Sequence, residues 1–210
     1  MYLSQLLPDP RSRLVLRDLA NPYQLHRTLM SAFPAPMPPE ERVLFRLDQQ
    51  RSQPGLSILV QSAAWPDWNG LSSSNYLLQP AAVKEFSCEP ATGQVFRFRL
   101  LANPTKRLKG DGQTDGPRVG LQREADQLAW LNRKAGLNGF LVLEVQTVKV
   151  TQPDGWKEAR NKNQLIRCQA VRFDGRLQVN DPAAFRAALA AGIGSGKGFG
   201  FGLLSLAPAS

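Results

Sequence analysis

The sequence predicts an α+β fold made of two tandem ferredoxin-like (RRM-like) domains, residues 1–89 and residues 90–210. Three observations carry that expectation. The second half reads strand, helix, strand, strand, helix, strand. The first half fits the same order with weaker signals. Between them stands a proline and glycine punctuation, Glu89-Pro90-Ala91-Thr92-Gly93. The 210 residues suffice for two small domains, and 42% hydrophobic content with 8% aromatic residues suits a globular chain, which sets aside collagen-like, coiled-coil and disordered readings.

In the first half, residues 2–7 read as a strand and the stretch up to Asn21 as a loop holding proline and several arginines. Asn21 is a good N-cap and Pro22 suits the first helical position. Tyr23, Leu25, His26, Leu29, Met30 and Phe33 keep helical spacing until Pro34 and Pro36 end the helix. Residues 43–48 and 56–61 read as a hairpin across a turn containing Pro54 and Gly55. Residues 66–76 have room for a short helix, and 82–87 can supply a closing strand.

The second half opens on a strand in which Phe96, Phe98 and Leu100 alternate with Arg97, Arg99 and Leu101. Leu121, Ala125, Leu128, Ala129 and Leu131 keep helical spacing over 121–135, with Gly136 as the stop signal. Residues 140–150 are apolar and β-branched enough for a long strand, with 165–173 as its expected partner and a basic loop, 151–163, between them. Asp181 caps an alanine-rich helix over 182–191. A glycine-rich loop and a strand at 201–206 complete the chain.

Lysine and arginine number 26 against 17 acids, a net charge of +9, so a polyanion is the first partner to consider. One histidine, His26, and two cysteines, Cys88 and Cys168, cannot assemble a structural zinc site, and no metal is assigned. The opening segment has no basic region ahead of its short apolar stretch, and no later run has bilayer-spanning length, so the expected setting is the cytoplasm with no membrane partner. In such a reducing compartment the two cysteines read as small apolar residues.

From 192 to 202 every second residue is glycine: Gly192, Gly194, Gly196, Gly198, Gly200 and Gly202. Glycines let a backbone approach a ligand closely and expose N–H groups to a phosphate, and Lys197 adds a cation. A Walker loop is excluded because Gly198 follows Lys197 and Ala191 stands where the first glycine belongs. The plainer alternative is a loop that packs against the rest of the protein.

Gly192-Ile193-Gly194, then Lys197, then Phe199-Gly200-Phe201-Gly202-Leu203-Leu204-Ser205-Leu206-Ala207-Pro208 resemble the C-terminal signature of CRISPR repeat-processing endoribonucleases of the CasE type, found in Cascade complexes. Similarity extends to Asn21-Pro22-Tyr23-Gln24-Leu25-His26-Arg27, to Phe96-Arg97-Phe98-Arg99 leading into Ala102-Asn103-Pro104-Thr105-Lys106, and to Leu128-Ala129-Trp130-Leu131. The resemblance implies two ferredoxin-like domains and metal-independent, cofactor-free cleavage of precursor CRISPR RNA at its repeat hairpin. It also implies retention of the product beside other Cascade subunits, and His26 and Tyr23 as active-site residues.

Chemistry read from the residues is compatible. RNA carries its own nucleophile: a 2′-hydroxyl held in line attacks the adjacent phosphate and yields a 2′,3′-cyclic phosphate and a 5′-hydroxyl. The reaction needs a proton acceptor, a proton donor and cations around the phosphorane. His26 alone titrates near neutrality in its unperturbed state, and Tyr23 stands three residues earlier on the same predicted helix face. Acceptor and donor roles are both open for each. An isolated histidine here would be a partly buried helix residue, and Tyr23 alone a packing residue.

Lys106, Arg107 and Lys109 fall in a loop after the Phe96 strand, Arg118 and Arg123 precede or begin the next helix, and Lys157, Arg160 and Lys162 occupy the basic loop. Together with Lys197 they are the candidate RNA-binding residues, reading duplex shape and phosphate spacing; the plainer alternative is a solvated charged surface. Trp65 and Trp68 can stack on unpaired bases or pack under a loop. Two rival functions stand beside the nuclease. One is a non-catalytic RNA-binding structural subunit. The other is a metal-dependent phosphodiesterase, for which only Asp111 and Asp115 in a glycine-containing loop offer acids.

Overall fold

The computed structural model describes residues 1–38, 41–49, 55–108, 116–151, 155–159, 162–166 and 168–209. Contacts divide the chain into two units. The first comprises Met1–Cys88 with Pro153–Arg167 and Lys197–Leu203; the second comprises Glu89–Gln152, Cys168–Gly196 and Leu204–Ser210.

The first unit runs β1 (Tyr2–Leu6), α1 (Arg13–Ala20), α2 (Pro22–Met30), β2 (Leu44–Gln49), β3 (Leu56–Ser62), α3 (Asn69–Ser73) and β4 (Ala82–Glu85). All its strand pairs are antiparallel, in the order β2-β3-β1-β4. Alternation sends Leu6, Ile58, Val60 and Phe45 to one face, where they meet Val15, Leu25 and Leu29 from the helices. Trp68 closes this core: it is buried, its indole N–H donates to Ser4 Oγ at 3.0 Å, and Phe33 meets it edge-on. Trp65 stays exposed against Tyr2.

Helix α1 corrects the reading of residues up to Asn21 as a loop. Its apolar residues Leu14, Val15 and Leu16 are consecutive; Leu14 and Leu16 remain exposed, while Val15 and Asp18, one turn apart, are buried. Val15 anchors the helix in the core, and a polar contact is buried beside it. Asp18 is fully enclosed, paired with Arg17 at 2.7 Å, and its Oδ2 accepts the Tyr76 hydroxyl at 3.0 Å. Burial first, and then the Asp18 charge, push the Tyr76 phenol far above the ordinary tyrosine range, so it remains a donor. Helix α2 begins as expected, with Asn21 Oδ1 accepting from Tyr23 N at 3.1 Å, but ends at Met30; Ala32 and Phe33 continue in tighter turns.

The second unit runs β5 (Val95–Ala102), β6 (Thr105–Arg107), β7 (Arg118–Gly120), α4 (Glu124–Leu137) and β8 (Phe140–Lys149). Next in the chain come β9 (Gly155–Ala159) and β10 (Lys162–Ile166), a hairpin that belongs to the first unit. The second unit resumes with β11 (Val171–Val179) and α5 (Pro182–Ala191) and, after a 3-10 turn at Lys197–Phe199, ends with β12 (Leu204–Pro208). Its sheet is also antiparallel, ordered β12-β5-β11-β8. Phe98, Leu100, Phe173 and Leu177 point into a core closed by Trp130 of α4 and Phe185 of α5. On the opposite face of β5 and β11, Arg99 and Arg172 both bind Asp174, at 2.6 and 2.9 Å. Burial alone would raise the Asp174 carboxyl; the two guanidiniums hold it below the ordinary carboxylate range. Gly175 admits the carbonyl of Glu144, and a Cβ there would collide with it.

Four expectations for this half change. The partner of β8 is β11, while 162–166 pair with β9, so the basic loop is a two-stranded hairpin in its own right. Lys106 and Arg107 lie on β6, paired with β7, and not in a loop; Arg118, on β7, precedes helix α4 as expected. Helix α4 runs through Gly136 and stops before Gly139, whose φ of 75° and close approach to the Asp181 carbonyl make it the real terminator. The last strand starts at Leu204. Asp181 does cap α5, its Oδ1 accepting from Ala183 N and Ala184 N at 3.0 Å each. No helix among the described residues is long and apolar enough to cross a membrane.

Tyr76→Phe keeps the ring but leaves the buried Asp18 carboxylate one donor short, a loss of about 1–3 kcal/mol. Urea unfolding of the variant should show a lowered midpoint with an unchanged slope.

Candidate functional site

Helix α2 presents its residues by spacing. Pro22, Leu25 and Leu29 are buried, fixing the rotation of the helix, and Tyr23 and His26, one turn apart, fall on one half-buried flank of it. Two further elements of the first unit pack on α2: the turn at Lys197–Phe199 and strand β9. The turn also meets β2.

The His26 imidazole lies nearly parallel to the Phe45 ring, 16° between planes and 6.2 Å between centroids. Gly198 comes against it, so that a Cβ there would stand 3.6 Å from His26 Cδ2, 3.7 Å from Nε2 and 3.8 Å from Cγ. Nδ1 is buried and has no hydrogen-bond partner among the described residues. Burial pushes the imidazole below its ordinary value of 6.5, so the ring is uncharged at neutral pH. Nε2 is not among the buried atoms that lack a partner.

The glycine loop sorts into two kinds of position. Gly192, Gly194, Gly196, Gly200 and Gly202 have positive φ, whereas Gly198 does not. Gly194 allows close approach of Trp130 in the second unit, where a Cβ would lie 3.0 Å from Cζ2. Gly200, at φ 83°, does the same for Phe45 in the first.

The basic candidates among the described residues fall in both units. Lys197 sits in the turn beside α2. Lys157 is carried by β9, opposite Gln164, and Lys162 by β10, opposite Ala159, so Lys157 belongs to the strand that packs on the helix of Tyr23 and His26. In the second unit Arg107 faces Arg118 across the β6–β7 pair, Lys106 is adjacent, and Arg123 is the N-cap residue of α4, its side chain exposed. Lys109, Arg160, Asp111 and Asp115 lie outside the described residues. Sequence reasoning missed Phe45 as a neighbour of His26, because strand alternation marks it only as a core residue.

The family model described as CRISPR associated protein matches residues 1–208. The chain is 41% identical to the CRISPR-associated endoribonuclease Cse3 of Thermus thermophilus, across 99% of this chain and 100% of that protein. It is 34% identical to the CRISPR system Cascade subunit CasE of Escherichia coli, again over 99% and 100%. Among solved structures, Thermus thermophilus Cse3 bound to an RNA representing a pre-cleavage complex superposes with a TM-score of 0.81 at 40% identity, covering 99% of this chain and 98% of that one.

Because His26 is the sole histidine, its imidazole gives one unambiguous NMR signal set. Titration of the free protein should show a midpoint below 6.5. Since the unfolded chain then binds the proton first, stability should fall as pH drops through the ordinary histidine range, and His26→Ala should remove that part of the dependence.

Proposed function

Because the chain belongs to the family of CRISPR-associated proteins, we propose that it is a CasE-type endoribonuclease, cleaving precursor CRISPR RNA at the repeat stem-loop and keeping the guide RNA within a Cascade-type complex. The relatives are named as an endoribonuclease and as a Cascade subunit, and solved relatives hold RNA. The observation that carries the reading to particular residues is the α2 flank: Tyr23 and His26 side by side, with an uncharged imidazole that has one sealed nitrogen.

The strand orders β2-β3-β1-β4 and β12-β5-β11-β8, each with helices between its strands, support reading residues 1–89 and 90–210 as two ferredoxin-like domains, with 153–167 and 197–203 inserted from the second into the unit formed by the first. The cytoplasm is the setting in which such a protein meets RNA.

In the proposed reaction the substrate provides the nucleophile. The 2′-hydroxyl 5′ to the scissile phosphate gives up its proton and bonds to phosphorus; the bond from phosphorus to the 5′-oxygen breaks, and that oxygen takes a proton as it leaves. The products are a 2′,3′-cyclic phosphate and a 5′-hydroxyl, and the step uses no metal. His26, through Nε2, and the Tyr23 hydroxyl are the groups that exchange these protons. Lys197 and the glycine turn beside α2 supply cation and backbone N–H groups for the phosphate. Lys106, Arg107, Lys109, Arg118, Arg123, Lys157, Arg160 and Lys162 hold the stem through its phosphates, so shape and charge spacing dominate recognition.

His26→Ala should slow single-turnover cleavage at least about a hundredfold while hairpin affinity stays within roughly a few-fold. Tyr23→Phe should slow it without loss of binding. Hairpin binding by the unaltered protein with no cleavage would leave an RNA-carrying structural subunit instead.

A substrate with 2′-deoxyribose 5′ to the scissile phosphate should bind normally and resist cleavage, with and without chelator. Cutting of that substrate at the same bond would mean that water, and not the RNA, attacks.

A further inference from the structure

A histidine that exchanges protons needs a fixed ring plane, and the second ring torsion of histidine is soft and broad. The commonest solution is a hydrogen bond from the other ring nitrogen to a carboxylate or carbonyl. His26 lacks it: Nδ1 is buried with no hydrogen-bond partner among the described residues. Ring contacts are therefore what remain to set the plane, and two are present. Phe45, 1% exposed, runs parallel to the imidazole. The near-equal distances from the Gly198 position to Cδ2, Nε2 and Cγ place that backbone over the face of the ring and not off its edge.

These two contacts are joined. Gly200 N donates to the Lys197 carbonyl at 3.2 Å, closing the turn that carries Gly198. At Gly200 itself a Cβ would stand 3.1 Å from Phe45 Cε2 and 3.7 Å from the Phe45 carbonyl oxygen. One turn thus touches both rings. We infer that Phe45 is a positioning residue for His26: its buried ring, held by the turn from Lys197 to Gly200, fixes the imidazole plane and the direction of Nε2. This rests on the proposal that His26 transfers protons to and from RNA.

The titratable and charged residues on the elements packed around the imidazole are Tyr23 and Arg27 of α2, Arg46 and Asp48 of β2, Lys197 of the turn, and Lys157 and Glu158 of β9. None is altered in the test. Phe45→Leu removes the aromatic plane but keeps an apolar side chain. Gly198→Ala adds one methyl at ordinary contact distance from the ring, at a position without positive φ, and so folds. Ile58→Ala, in the same core, is the control for lost stability.

Three quantities are read for each: single-turnover cleavage of the repeat hairpin, hairpin affinity, and the NMR shifts and titration midpoint of the single histidine. Phe45→Leu should cut the cleavage rate about tenfold or more with affinity within about threefold, and move the His26 midpoint up toward its ordinary value. Ile58→Ala should leave rate and midpoint unchanged, and Gly198→Ala should shift the His26 signals and slow cleavage. A Phe45→Leu protein indistinguishable from the Ile58→Ala control in rate and midpoint would overturn the inference. If Phe45→Leu does not fold, Gly198→Ala decides, unchanged His26 signals and rate being the refuting result. Normal cleavage by His26→Ala would refute the catalytic reading alone, since the His26 signals in Phe45→Leu still report whether Phe45 orients the ring.

Discussion

The packing of the His26 imidazole is the contact at which helix, sheet and glycine turn of the first unit meet. The N-cap at Asn21 fixes where α2 begins; buried Leu25 and Leu29 fix its rotation; Phe45 from β2 and the glycine turn then meet the ring. Each contact removes water from one side of the imidazole. The cost is a buried nitrogen without a hydrogen bond and a disfavoured charged form. The gain is a ring that stays neutral and keeps one orientation. Core packing and site chemistry are here the same set of contacts.

Charge in the rest of the molecule is handled differently. Asp18 and Asp174 are enclosed wholly or in part, and each is answered locally, Asp18 by Arg17 and the Tyr76 hydroxyl, Asp174 by Arg99 and Arg172. Lys106 and Arg118, in contrast, are exposed on short paired strands. Exposed charges of this kind exchange freely with bulk salt, so any polyanion they held would bind with an affinity that follows ionic strength.

Sequence made legible whatever depends on neighbours a few residues away. Asn21 before Pro22, Asp181 before Pro182, and the alternation of Phe96, Phe98 and Leu100 each declare an element locally, and each is present. Helix α1 was missed although its apolar and charged residues segregate at helical spacing; only the partner of its buried Asp18, Tyr76, lies far along the chain. Gly136 and Gly139 look alike as stop signals; only the second has the Asp181 carbonyl against it, a tertiary fact. Residues 165–173 carry enough apolar character to pair with β8, but that stretch spans two strands with different partners. That Tyr23 and His26 share one helix flank was readable from their spacing, whereas Phe45 reaches His26 only through the folded sheet.

The turn that touches His26 lies near the opposite end of the 210-residue sequence from it, yet Lys197–Leu203 belongs to the first unit. During synthesis, which delivers about 5–20 residues each second and lets N-terminal regions fold first, the helix of Tyr23 and His26 emerges early and waits for Gly198. The nascent chain therefore carries Tyr23 and His26 in an unfinished setting until residues 197–200 have left the ribosome. A truncated product ending before this turn would retain His26 without the backbone that lies over its ring.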